Sequence, residues 1–200
     1  MMPSVYEEIS LALDRYAEAA DSVDKVYVSR AAGKFGKSRG NGVEAGRRLH
    51  SRIWGFDPYD VLGYDEICTP FPLAWRFRFG WLLGVPDQLC FRRGKPYAVV
   101  EYKSYMARGL GEKIQASLYG LLAELNFTAE IEVYIRDPGG LSPIQGWRAL
   151  ALEGLRAAAS LARRRSSPGI RSRSSSLWCK ARRRGGPESS SSQSPRSRMG

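Results

Sequence analysis

The stretch from Trp81 to Ser104 restricts the fold most. Trp81-Leu-Leu-Gly-Val-Pro-Asp-Gln-Leu-Cys-Phe91 and Pro96-Tyr-Ala-Val-Val-Glu-Tyr-Lys-Ser104 are β-rich, and Arg92-Arg-Gly-Lys95 between them carries a turn glycine. The two halves are therefore predicted to pair as a hairpin. With Gly94 at its tip, Asp87 and Glu101 are equidistant from the turn and face each other. Facing Cβ atoms on antiparallel strands lie about 5 Å apart, where two carboxylates repel unless a cation stands between them. A divalent metal is the natural candidate. Side chains alternate along a strand, so Lys103 shares the face of Glu101 while Tyr102 points away. Glu101 closes the apolar run Ala98-Val99-Val100, which places it at the end of a buried strand. Pro86 removes a ladder donor just ahead of Asp87 and predicts a bulge or bend there. An acid-x-lysine pair is also common on a solvated strand, and the pattern alone leaves that reading open.

Two further segments carry candidate residues. The only histidine, His50, lies in Gly42-Val-Glu-Ala-Gly-Arg-Arg-Leu-His-Ser-Arg-Ile53, predicted as a helix. It is either a metal ligand or an ordinary surface or core residue. In Gly111–Leu125, residues Ile114, Leu118, Leu121, Leu122 and Leu125 mark the buried stripe of a helix. Gln115 and Tyr119 form an i, i+4 pair along the edge of that stripe, able to border a pocket or to stand as a boundary polar pair.

Taken in order, G-x-x-x-H, G-V-P-D, V-E-Y-K and Q-x-x-x-Y resemble the RecB-like branch of the PD-(D/E)XK nucleases, nearest to the CRISPR-associated RecB-like exonucleases, over residues 25 to 135. The resemblance implies an α/β fold with a restriction-endonuclease-like core, a mixed central sheet flanked by helices. It implies a metal-dependent deoxyribonuclease, an exonuclease on single-stranded DNA serving CRISPR adaptation or repair and recombination. His50, Asp87, Glu101 and the carbonyl of Tyr102 would bind Mg²⁺ or Mn²⁺. Lys103 would position the attacking water, and Gln115 and Tyr119 would line the site. DNA is the expected partner, together with adaptation or recombination proteins. Many such exonucleases hold an iron–sulfur cluster on four cysteines. This chain has only Cys68, Cys90 and Cys179, so no cluster is expected. Cys68 and Cys90 are expected as buried thiols, with a disulfide between them still open. The competing class is a non-catalytic nucleic-acid-binding or adaptor subunit on the same fold.

Charge divides the chain. Residues 163–200 hold eleven of the 31 Lys and Arg and one of the 20 acids, leaving residues 1–162 nearly neutral. Hence 1–162 is expected to be the nuclease domain and 163–200 a disordered Arg/Ser-rich tail. That tail is either an arm gripping phosphates or a non-native translation. No stretch has the apolar length of a membrane span, no signal peptide is evident, and a cytoplasmic protein without membrane partners is expected. Asn and Gln are sparse, six in all, as in thermophile proteins.

The remaining elements follow from local pattern. Ser4 and Glu7 predict a capping box, opening a helix whose apolar face is Ile9, Leu13, Tyr16 and Ala20. Lys25–Ser29 reads as extended, Arg30–Gly42 as a basic mobile loop, and Glu130–Arg136 as a strand. Ser142-Pro-Ile-Gln145 reads as the start of a last helix. Trp75-Arg-Phe-Arg-Phe-Gly-Trp81 reads as one strand with Trp75, Phe77, Phe79 and Trp81 on one face and Arg76 and Arg78 on the other. Those rings are either core or a platform for stacked bases.

Overall fold

The structure, a computed structural model, describes residues 4–36, 57–107 and 109–166. His50, Cys179 and the basic tail lie outside the described residues. The chain divides into two units after Pro168, and all the described residues belong to the first.

Helix α1 (Val5–Asp21) opens with the capping box: the Ser4 hydroxyl accepts from Glu7 N–H, and the Glu7 carboxylate accepts from Ser4 N–H. Next come β1 (Lys25–Tyr27), the short helix α2 (Val28–Ala32) and 3₁₀ turns at Gly33–Phe35 and Pro58–Gly63. Strands β2 (Glu66–Thr69), β3 (Leu73–Phe77), β4 (Gly80–Gly84), β5 (Gln88–Arg92) and β6 (Lys95–Tyr102) precede helix α3 (Leu110–Asn126). Strands β7 (Glu132–Asp137) and β8 (Gly140–Pro143) and helix α4 (Trp147–Ser166) complete the unit.

Among the described residues two sheets result, one of three strands in the order β1-β4-β3 and one of five in the order β2-β5-β6-β7-β8. Both are mixed. β1 runs parallel to β4 and β6 parallel to β7, while the other neighbours are antiparallel. The parallel pair β6 and β7 requires a crossover, and α3 supplies it. This helix packs on β3, β6 and β7 as well as on α2 and α4. It is consequently buried almost all round, not along the single stripe its sequence suggests: Ala116, Ser117, Tyr119 and Ala123 are buried besides Ile114, Leu118 and Leu122. Beneath it Phe127 meets Phe71 and Phe91 edge-to-face, those two rings being tilted against each other, and the three fill the centre of the core.

Several expectations need correction. The hairpin turn has two residues, Arg93 and Gly94, both at positive φ (51° and 75°), instead of Gly94 alone at the tip. Arg92 then pairs with Lys95 and Phe91 with Pro96, but Cys90 pairs with Ala98, so Tyr97 is an extra residue on β6. The chain bends at Asp87, as Pro86 predicts, while the bulge lies beside Pro96. β6 is a central strand, where a proline lacking N–H fits only at its start or at a bulge. Beyond the bulge Gln88 pairs with Val100, which carries Asp87 to the place opposite Glu101. Two offsets cancel.

The segment 75–81 is not one strand, because the chain reverses at Arg78-Phe79 and Trp75 pairs with Leu82 while Arg76 pairs with Trp81. Trp75 and Trp81 therefore lie on opposite faces. Trp75 packs on the main core beneath the Arg15 guanidinium, 4.4 Å from its ring, and Trp81 packs with Ala19, Ala74 and Leu83. Arg30 and Ala32 belong to α2 instead of a loop. Ser142 and Pro143 extend β8, with Ser142 opposite Ile135, and the last helix starts at Trp147. The free edge of β7 outcompetes the local capping signal. That helix runs to Ser166, past the expected division at residue 162. Cys68 and Cys90, expected as thiols, are register partners on β2 and β5 and are joined by a disulfide.

Candidate active site

Glu101 is the penultimate residue of β6 and is 2% exposed. Its Oε1 accepts from Lys103 Nζ at 2.8 Å and from Gln115 Nε2 at 2.7 Å. Its Oε2 is buried without a hydrogen-bond partner. A buried, unsatisfied carboxylate oxygen costs on the order of 1–3 kcal/mol or more, so in a native protein it marks a bound water or ion, a catalytic role or stored strain. Burial is the chief cause that pushes the Glu101 carboxyl up to about 7, and the nearby Asp87 charge adds to it, against the opposing pull of Lys103.

Asp87 lies in the bend between β4 and β5. Its Oδ2 accepts from the Tyr102 N–H at 2.8 Å, which fixes the carboxylate against the end of β6. Lys103 is largely buried; desolvation favours its neutral amine, but Glu101, by charge and hydrogen bond, and then Asp87 outweigh this and raise its pKa. The ammonium form is held in place. The Lys103 backbone N–H donates to Arg136 O at 2.8 Å, which ties this strand end to β7.

Helix α3 sets the opposite wall. Gln115 and Tyr119, one turn apart, both point toward Glu101. Burial drives the Tyr119 hydroxyl well above its ordinary pKa, and the charges of Glu101 and Asp87 push the same way. Its ring rests on Gly84, where a Cβ would come within 2.9 Å of Tyr119 Cε1. These groups enclose a cavity of about 280 Å³ bordered by Tyr16, Tyr27, Asp87, Glu101, Gln115 and Tyr119.

The structure thus brings together Asp87, Glu101, Lys103, Gln115 and Tyr119, with Tyr102 contributing backbone; His50 falls outside the described residues. Among the described residues no third His, Cys, Asp or Glu joins the two carboxylates in a group able to hold a metal. Sequence reading misses Tyr16, Tyr27 and Gly84 as site residues. Gly84 carries a signal, since a glycine inside an apolar strand marks a close approach to the backbone. Tyr16 belongs by its spacing to the apolar face of α1, which it does serve by packing on Ala19, Ala74, Trp81 and Leu83, while it also borders the cavity.

No family model matches the chain, and no curated protein is similar to it. Among solved structures, the crystal structure of SSO0001 is similar over 78% of this chain and 84% of that one, at 12% identity and a TM-score of 0.34. The chain is a mixed α/β protein with helices flanking its sheets.

Proposed function

We propose that the cavity is the active site of a divalent-metal-dependent deoxyribonuclease on a PD-(D/E)XK core. One observation carries the reading: a buried carboxylate, with one oxygen pinned by Lys103 and Gln115 and the other unpartnered, stands opposite a second carboxylate. That donor set fits a hard cation. Glu101 Oε2 and the Asp87 carboxylate would hold it, joined by the carbonyl of Tyr102 and by His50 from the segment outside the described residues. Bound Mg²⁺ or Mn²⁺ supplies a Lewis acid and lowers the pKa of water.

The chain's own residues do the rest. Lys103 keeps a positive charge beside Glu101, where a phosphate approaching the carboxylates would develop negative charge. Gln115 holds the Glu101 carboxylate in one orientation, and Tyr102 N–H does the same for Asp87. Tyr119, uncharged at any ordinary pH, closes the wall with an apolar ring and leaves the charges poorly screened. Single-stranded DNA is the proposed substrate, and CRISPR adaptation or repair the proposed setting.

The test is cleavage of end-labelled single-stranded DNA with Mn²⁺, with and without chelator. Asp87→Ala, Glu101→Ala and Lys103→Ala should each slow it by about a hundredfold or more while the domain remains folded. Full activity in any one variant removes that residue from the chemistry. Intact DNA binding by a wild-type protein that never cleaves would instead identify a binding subunit on this fold.

A further inference from the structure

A second cavity, of about 610 Å³, lies at the turn end of the β3–β4 hairpin, where α1 gives way to β1 and α4 ends. Arg76, Arg78 and Arg163 line it, against the single carboxylate of Asp24. Arg76 also approaches Glu18 at 3.9 Å, but both side chains are mostly exposed, and such a pair contributes little and exchanges readily. The aromatic groups beside these cations, Phe77 and Phe79, are partly buried against the main core and also border the cavity. Phe77 and Phe79 lie parallel, centroids 5.3 Å apart and planes within 7°, and Arg76 sits 6.0 Å over the ring of Trp81.

The placement relative to the active site is set by one strand. β4 contributes Gly80 and Trp81 to this cavity and Leu83 and Gly84 to the cavity of Glu101. Two to four residues of strand separate the two, roughly 7–13 Å. We propose that the hairpin cavity is an anchoring subsite for single-stranded nucleic acid, with phosphates on Arg76 and Arg78 and a base against the Phe77–Phe79 stack. The inference rests on the nuclease reading of the Glu101 site and gives it a substrate path. Cations beside sequence-tolerant aromatic faces are what an unpaired strand offers contacts to, whereas an acidic peptide has no use for the rings.

The test is fluorescence anisotropy of a labelled 20-nucleotide single strand with the full-length protein in chelator, so that no cleavage occurs. Arg76→Ala with Arg78→Ala should weaken binding at least about fivefold and lower the slope of log affinity against log salt by about 0.7 per lost phosphate contact. Phe79→Ala should weaken binding with the slope unchanged, as loss of a stacking face predicts. The control Arg92→Ala with Arg93→Ala removes the same charge from the far hairpin, and should do less. Equal loss in the control, or full displacement of the oligonucleotide by polyglutamate at matched charge, overturns the subsite. Weakened binding in the cavity variants of a protein that never cleaves would sink the nuclease and keep the subsite, while cleavage with unaltered binding would do the reverse.

Discussion

At the scale of single residues, Glu101 governs how the site responds to protons. Its carboxyl titrates near 4.5 when unfolded and at about 7 in the fold, because burial and then Asp87 oppose ionisation more than Lys103 favours it. Across that window the unfolded chain has lost a proton which the native protein retains. The contribution to stability is therefore full below about pH 4.5 and is lost as pH rises toward 7. Thermal unfolding in chelator should show the melting temperature falling over this range, and Glu101→Gln should flatten that fall, with Asp87, Lys103, Gln115 and Tyr119 left in place. An unchanged slope in the variant would mean that Glu101 is not the group titrating. The convergence of Asp87, Glu101 and Lys103 is legible from counting along two strands. The unpartnered Oε2 is not, since it depends on Gln115 and Lys103 both choosing the other oxygen.

At the scale of elements, two close fits position the site. The bulge at Tyr97 sets which residue of β6 stands opposite Asp87, and its signal is Pro96 within a central strand. Strand patterns cannot reveal such an insertion unless the turn is also known, and from sequence the turn is centred on Gly94, whereas its observed centre lies between Arg93 and Gly94. The helix pair Gln115 and Tyr119 is readable from period alone, whereas the burial of α3 on nearly every side is not, because it follows from which elements surround the crossover. The second fit is the ring of Tyr119 on Gly84. In Gly84→Ala the new methyl meets that ring at 2.9 Å and its hydroxyl oxygen at 3.1 Å, so Tyr119 must shift, and the cavity it borders offers room for the movement. The expected outcome is a modest loss of stability, about 1–3 kcal/mol, with turnover falling at least tenfold. Denaturant unfolding alongside steady-state cleavage checks both, and a variant that loses stability but keeps turnover would place Tyr119 outside the reaction.

At the scale of the whole molecule, the division of charge is plain in the sequence, and its position is not. Residues after Ala162 look polar and basic, yet α4 continues to Ser166 with Leu161 buried against the core, so helix period outlasts the change in composition. Truncation should therefore follow Pro168, where the first unit ends. The shortened protein should unfold at the same temperature and cleave at the same maximal rate, while its affinity for single-stranded DNA falls and depends less on salt. Unchanged affinity and slope would show that the tail is not an arm. The cystine between Cys68 and Cys90 has a topological effect as well. It closes a covalent ring that contains the whole β3–β4 hairpin and Asp87, and both ends of that excursion leave from one rivet on the larger sheet. A peptide bond cut anywhere inside the ring leaves the two fragments joined, so that even after a cut between Arg78 and Asp87 the arginines of the hairpin stay tethered to that carboxylate through the cystine.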